Sequence, residues 1–162
     1  MVVVADTSPL IYLSRVGALN LLHDLFGEVV VPRAVWVEVV EQRTAAPGLD
    51  ALKSAEWLRG VDREWPGVDL GLDVGETAAI LLAELLQADL LLIDERLGRR
   101  VAESRGLTVR GTLGVLVQAR RAGTLPALRP LLETLVADGF RISPGLIREA
   151  LAAVGEIDNT VA

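Results

Sequence analysis

Several acidic residues of this chain stand close behind its apolar runs. Asp6 closes "MVVVAD", and Asp94 and Glu95 close "DLLLIDE". Glu38 follows "EVVVPRAVWV", and Glu76 sits in "LDVGETAAILLA". Carboxylates brought to one place repel, by roughly 3 kcal/mol for a pair about 5 Å apart at an effective dielectric of about 20. A cluster must therefore take up protons or cations. An all-oxygen donor set suits a hard divalent ion, Mg²⁺ or Mn²⁺, with positions left for water and phosphate. Zinc would want His or Cys, and the chain has no cysteine and one histidine, His23. Each acid also has a plainer reading. Asp6 could end a strand and cap a helix, and Glu38 could be a solvated helix residue. Asp73 and Glu76 have capping-box spacing. Asp94 and Glu95 could be loop acids steadied by a helix dipole.

What decides between these readings is where the elements put the acids. Residues 2–5, 28–32, 89–94 and 107–110 are short, continuously apolar or β-branched runs, the pattern of strands covered on both faces. A further strand near 57–61 and a short helix near 49–56 are expected in the irregular 44–72 stretch. Helical patterns separate the strands: a pair over 8–27 broken at Gly17, then segments near 33–43, 72–88 and 96–106. Ser8 is expected to cap the first helix, with Pro9 at its first position. Glycine at 27 and 106 closes two of the helices. Strands alternating with helices imply parallel pairing, hence an α/β class with a central parallel sheet. Ligands of such sheets bind beyond the carboxyl ends of the strands. This topology carries Asp6, Glu38, Glu76 and Asp94 to one sheet edge.

The 162 residues suit one domain, taken as 1–155 with a helical part from about 112 (helices near 112–122, 126–138 and 144–154) and a frayed tail at 156–162. Hydrophobic residues make up 51% and aromatics only 4%, so the core is Leu, Val and Ala. Absence of cysteine removes disulfides and thiol chemistry and suits a reducing cytoplasm. No apolar run reaches the roughly 18 residues of a membrane helix, and the start lacks a signal-peptide pattern. Net charge is −6, which opposes nucleic acid globally. From Arg96 to Arg121, however, seven arginines face one acid, Glu103, a local +6 against −12 elsewhere. That segment could meet phosphates or simply be a solvated helix face.

Other chemistries lack their residues. There is no GxGxxG and no Walker lysine loop. A phosphatase with Asp6 as nucleophile would want an acid at position 8, where the chain has Ser8. A serine hydrolase needs a histidine base, and His23 reads as a core-packed helix residue.

"ADTSPLI", "VPRAVWVEV", "LDVGETAAILLA", "ADLLLIDERLGRRVAESRGL" and "GTLGVL" stand in order over residues 2–122. Together they resemble the PIN-domain family, and most closely the uncharacterised DUF3368-type PIN-like proteins related to VapC toxin ribonucleases. The resemblance implies a three-layer fold, with a parallel sheet of four to five strands flanked by helices. It implies a Mg²⁺- or Mn²⁺-dependent ribonuclease, in many relatives the toxin of a toxin–antitoxin pair. By position it assigns Asp6, Glu38, Glu76 and Asp94 to catalysis. Asp6, Glu76, Asp94 and Glu95 become metal ligands, and the fourth acid is Asp94 or its neighbour Glu95. Thr7 and Ser8 are the hydroxyls beside the first acid, with Ser8 orienting it. Arg96, Arg99 and Arg100 would steady RNA. Ile93 departs from the hydroxyl that the wider family often carries near this point. Expected partners are RNA, an antitoxin protein and a second copy of the chain, with leucine-rich helices in the first 30 residues and the tail as candidate faces. The alternative is a PIN-like module that binds RNA or protein without cutting.

Overall fold

The structure, a computed structural model, describes residues 1–42 and 46–156. It divides into two compact units, Met1–Thr112 and Leu113–Ala162.

The first unit holds a five-stranded sheet: β1 (Val3–Ala5), β2 (Val29–Pro32), β3 (Leu58–Val61), β4 (Leu90–Leu92) and β5 (Val109–Arg110). Every pairing is parallel and the order is β3-β2-β1-β4-β5. Central register pairs Val4 with Val30 on one side and with Leu91 on the other. The residues of β1, β2 and β4 are all buried, which explains why these runs are apolar without alternation.

Between the strands run α1 (Thr7–Arg15), α2 (Asn20–Phe26), α3 (Arg33–Trp36), α4 (Leu49–Ser54), α5 (Val74–Leu85) and α6 (Arg96–Ser104). Right-handed crossovers put α1, α2 and α4 on one sheet face and α5 and α6 on the other, with α3 packed against α5. The side-chain core agrees. Val4, Val30, Leu91 and Ile93 from one sheet face pack with Ala79, Ile80, Leu82 and Ala83 of α5 and Ala102 of α6. Each fully buried Leu or Ile there contributes about 1.5–3 kcal/mol. The result is the expected α/β sheet with helical layers. Among the described residues, no helix is long and apolar enough to cross a membrane.

Three local expectations are corrected. The first helix begins at Thr7 with Asp6 as its N-cap, so Ser8 is not the cap; Pro9 falls inside the first turn, where its missing N–H is no loss. The helix after β2 does not stay α. From Val37 to Glu41 it widens to a π turn, closed by Gln42 N–H to Val37 O at 2.8 Å. Val37, Val39 and Val40 crowd an α turn at χ1, which weakens the α register there. His23 is exposed rather than core-packed: its Nδ1 lies 3.1 Å from Gly27 O, and its ring stacks on Trp57 at 5.5 Å.

The leucines offered as an interaction face in α1 and α2 are core. Leu10, Leu13, Leu19, Leu21 and Leu22 are all buried.

The second unit contains α7 (from Thr112, the last residue of the first unit, to Arg121), α8 (Arg129–Ala137) and α9 (Pro144–Ala153). Ser143 caps α9, accepting Leu146 N–H at 3.2 Å. Residues 157–162 of the expected frayed tail lie outside the described residues. Glu156 does not fray: its carboxylate accepts the N–H groups of Leu128 and Arg129 at 2.7 and 3.1 Å and meets Arg120 at 3.2 Å.

Candidate active site

Asp6 is the first residue beyond β1. Its N–H still donates to Leu92 O of β4 at 2.9 Å, which pins it at the carboxyl edge between those two strands. The chain leaves β1 towards β2 and leaves β4 towards β5, in opposite directions, so this is the sheet's topological switch point. Asp6 is 4% exposed.

Glu38 reaches the same edge from the π turn after β2. Such turns recur at functional sites because they re-aim one side chain within a helix. Thr7 Oγ1 donates to Glu38 Oε2 at 2.9 Å, tying the second acid to the residue beside the first. Beside Asp6 the described hydroxyl contact comes from Thr7, and Ser8 makes no described side-chain hydrogen bond to Asp6.

The third contribution is the start of α5. Asp73 is its N-cap, accepting Glu76 N–H at 2.7 Å, and Ala, Leu and Ile carry the helix onward. The plainer reading of the Asp73–Glu76 spacing is therefore present, yet it does not exhaust the pair. A Cβ at Gly75 would lie 3.2 Å from Glu38 Oε2 and 3.6 Å from both Asp6 Oδ1 and Asp73 Oδ1. Carboxylates from three separate elements thus surround one glycine. Glu76 is buried, and its Oε2 has no hydrogen-bond partner. That oxygen lies against α6, where a Cβ at Gly98 would stand 2.5 Å from it.

Asp94 follows β4 by two residues. Its Oδ1 accepts Thr112 N–H and its Oδ2 accepts Thr112 Oγ1–H, both at 2.7 Å. Gly111 leaves room for this, since a Cβ there would lie 2.8 Å from Asp94 Oδ1 and 3.4 Å from Arg99 Nη1. Glu95 is exposed at the start of α6. Arg96 and Arg100 are exposed beyond it, and Arg99 is half-buried beside Asp94.

The electrostatics record how close these groups are. Burial pushes the Asp6 carboxyl up to about 7; the Thr7 N–H opposes this, and the charges of Asp73, Glu38 and Asp94 add to it. Burial, a side-chain contact with Asp73 and the charges of Asp73, Asp6 and Glu95 push Glu76 up to about 8. Burial also raises Asp94, against the two Thr112 bonds and the Arg99 charge. Asp94 therefore bears on Asp6 and Glu95 on Glu76.

The acids read from the sequence are accordingly gathered at one edge, with Asp73 added to them. Asp73 was legible only as a cap. Thr112 and the glycines at 75, 98 and 111 carry no chemistry of their own, so only folding shows that they touch the carboxylates. Among the described residues, no three of the acids already stand in a geometry that would hold an ion. The donor chemistry nonetheless fits a hard divalent ion. All donors are carboxylate oxygens, one buried oxygen lacks a partner, and the Asp6 and Glu76 carboxyls are raised by burial and neighbouring acids, so a cation would compete with protons there. Asp6, Glu38, Asp73 and Glu76 could hold it.

No curated protein and no solved structure matches the chain. The family model described as DUF3368, a PIN domain, matches residues 2–156, and the chain belongs to that PIN-domain family.

Proposed function

We propose that the protein is a metal-dependent endoribonuclease whose centre is the acid cluster at the β1–β4 edge. PIN domains are nuclease-type folds that generally use divalent metals. The observation that carries the reading is Glu76 Oε2, a buried carboxylate oxygen without a partner, beside Asp6, whose carboxyl is itself raised by burial and neighbouring acids. Such an arrangement is unfavourable for folding alone and becomes favourable once positive charge enters.

In this reading Asp6, Glu38 and Glu76 would hold Mg²⁺ or Mn²⁺, with Asp73 and Asp94 or Glu95 as further carboxylates that could join them. The ion, when bound, supplies charge against the phosphate oxygens and makes water more acidic. The chain's own residues do the rest. Thr7 fixes the rotamer of Glu38, and Thr112 fixes that of Asp94. An unprotonated carboxylate at the edge can take the proton of the attacking water. Arg99, with Arg96 and Arg100 on the same helix, meets the RNA phosphates.

The test uses single-stranded RNA with Mn²⁺, with Mg²⁺ and with EDTA, comparing wild type with Asp6→Asn. Cleavage by wild type that EDTA and the substitution both abolish supports the reading. Equal cleavage by both proteins removes Asp6 from it. The two bonds that Thr112 makes to Asp94 favour a second reading, a catalytically weak RNA- or protein-binding module, because they occupy an acid otherwise available to an ion. RNA binding without cleavage under any divalent ion would select it.

We further propose a cytoplasmic toxin that acts beside an antitoxin and as a homodimer. These points rest on family kinship and on the cysteine-free composition. Light scattering tests the dimer. A short adjacent reading frame with a DNA-binding pattern would support the antitoxin.

A further inference from the structure

A cleft of about 950 Å³ opens directly beside the acid cluster, within the first unit. Its size lies at the upper end of the roughly 300–1,000 Å³ usual for ligand sites. One wall is shared with the cluster itself, because Glu38, Asp73 and Gly75 line both. Much of the remaining lining comes from the 63–72 segment between β3 and α5. This segment is folded back on itself and held. A turn at Pro66-Gly67, with Gly67 at φ 76, closes through Val68 N–H to Trp65 O at 3.4 Å, and Asp69 Oδ1 accepts Gly71 N–H at 2.8 Å. Leu70 and Leu72 pack against the core, and Trp65 is half-buried on the same cluster.

The chemistry presented to the cleft is specific. The exposed Arg63 guanidinium lies over the Trp65 ring, 5.6 Å from its centroid. Arg33 lines the cleft from α3 and meets Asp62 loosely, at 3.8 Å. At the rim, Val74 is 77% exposed and Val68 43%, apolar surface left uncovered next to a charged centre. An aromatic ring with a cation over it, a second arginine and small apolar faces are features that single-stranded nucleic acid uses, bases stacking while phosphates meet arginines; Glu38, Glu64, Asp69 and Asp73 on the same lining would face those phosphates only with a cation between.

We propose that this cleft is a base-stacking subsite for single-stranded RNA. In it a nucleobase lies against the Arg63–Trp65 pair, and the backbone continues past Gly75 to the acids. The proposal rests on the nuclease reading for what happens at the acids, but the stacking itself does not require cleavage. Continuity of the two sites favours this occupant, because Glu38, Asp73 and Gly75 belong to both the cleft and the cluster.

The experiment measures anisotropy of a labelled RNA oligonucleotide, and of the same oligonucleotide made abasic, in Mn²⁺. It is done in an Asp6→Asn background, with Arg63→Ala, Trp65→Ala and Trp65→Phe added singly. The parent should bind the intact strand about 5- to 100-fold more tightly than the abasic one. Arg63→Ala and Trp65→Ala should erase most of that preference, and Trp65→Phe should keep most of it. Arg63 is exposed, so its variant reports even if Trp65→Ala fails to fold. Equal binding of both strands by the parent, no RNA binding at all, or unchanged preference in Arg63→Ala and a folded Trp65→Ala would each overturn the subsite; the last is the result expected if the cleft instead receives a protein. A parallel cleavage assay on the chain with Asp6 intact separates the two claims. Cleavage without Trp65-dependent binding removes the subsite and leaves the nuclease. Trp65-dependent binding without cleavage does the reverse.

Discussion

Asp6→Asn should make the metal-free protein more stable at alkaline pH. In the fold the Asp6 carboxyl is raised from 3.8 to about 7 by burial and by Asp73, Glu38 and Asp94. At about 1.4 kcal/mol for each tenfold change, that difference makes the charged form about 4 kcal/mol less favourable in the fold than in the unfolded chain. Because the folded pKa lies above the unfolded one, the full stability is present below about pH 4 and declines as pH rises through about 7. Asparagine keeps the shape and removes the charge. Relaxation and water entry reduce the effect, so about 2 kcal/mol is expected at pH 8. For a chain of this size that is a rise in melting temperature of about 4–8 °C. At pH 4.5 only about a quarter of the difference has developed, so the two proteins should melt much closer together. The assay is thermal melting by circular dichroism in EDTA at pH 4.5, 6 and 8, repeated with Mn²⁺. Mn²⁺ should raise the wild-type melting temperature at pH 8 and leave Asp6→Asn much less affected. Equal melting at pH 8 in EDTA, or a less stable Asp6→Asn, would show that the acids do not strain one another.

The supporting residues make further predictions. Gly98→Ala would normally stabilise a helix by about 0.5–1 kcal/mol, but its Cβ meets Glu76 Oε2 at 2.5 Å and Ile93 Cδ1 at 2.7 Å. Melting should therefore show a net loss, and Mn²⁺ titration an affinity at least about tenfold weaker. Thr112→Val removes the hydroxyl bond to Asp94 Oδ2 at a fully buried position and should cost about 1.5–3 kcal/mol in urea unfolding, whereas Thr112→Ser should retain most of it. Glu156 is held below the usual carboxylate range by the N–H groups of Leu128 and Arg129 and by Arg120, against the cost of its burial. Its contribution is present above about pH 4.5 and lost as pH falls through its folded pKa, so Glu156→Gln should lower melting temperature at pH 7 and converge with wild type in acid.

The centre of the sheet was readable because β1, β2 and β4 are short apolar runs with a helical pattern behind each, and parallel pairing follows from that alternation. The carboxyl edge was readable for the same reason, since Asp6 and Asp94 follow their strands almost at once. Other features depend on contacts between residues distant in sequence. Asp73 looks like a cap and is one, and its proximity to Asp6 and Glu38 depends on how β1, β2 and α5 meet. The π turn under Glu38 arises from crowding among valines that individually read as indifferent helix formers. Ser8 and Thr7 are interchangeable by type, and only the starting point of α1 gives Thr7 the bond to Glu38. Trp65 and Arg63 fall in a stretch of Gly and Pro without periodicity, so nothing in the sequence aligns them with the acids before the chain folds back.

The proposed activity requires that the gathered carboxylates take up an ion. Calorimetric titration of Mn²⁺ at pH 7.5 into wild type, Asp6→Asn and Glu76→Gln tests this most directly. Saturable binding by wild type, weakened at least about tenfold in both variants while both stay folded, is the predicted result. No binding by wild type, or equal binding by all three, would contradict it.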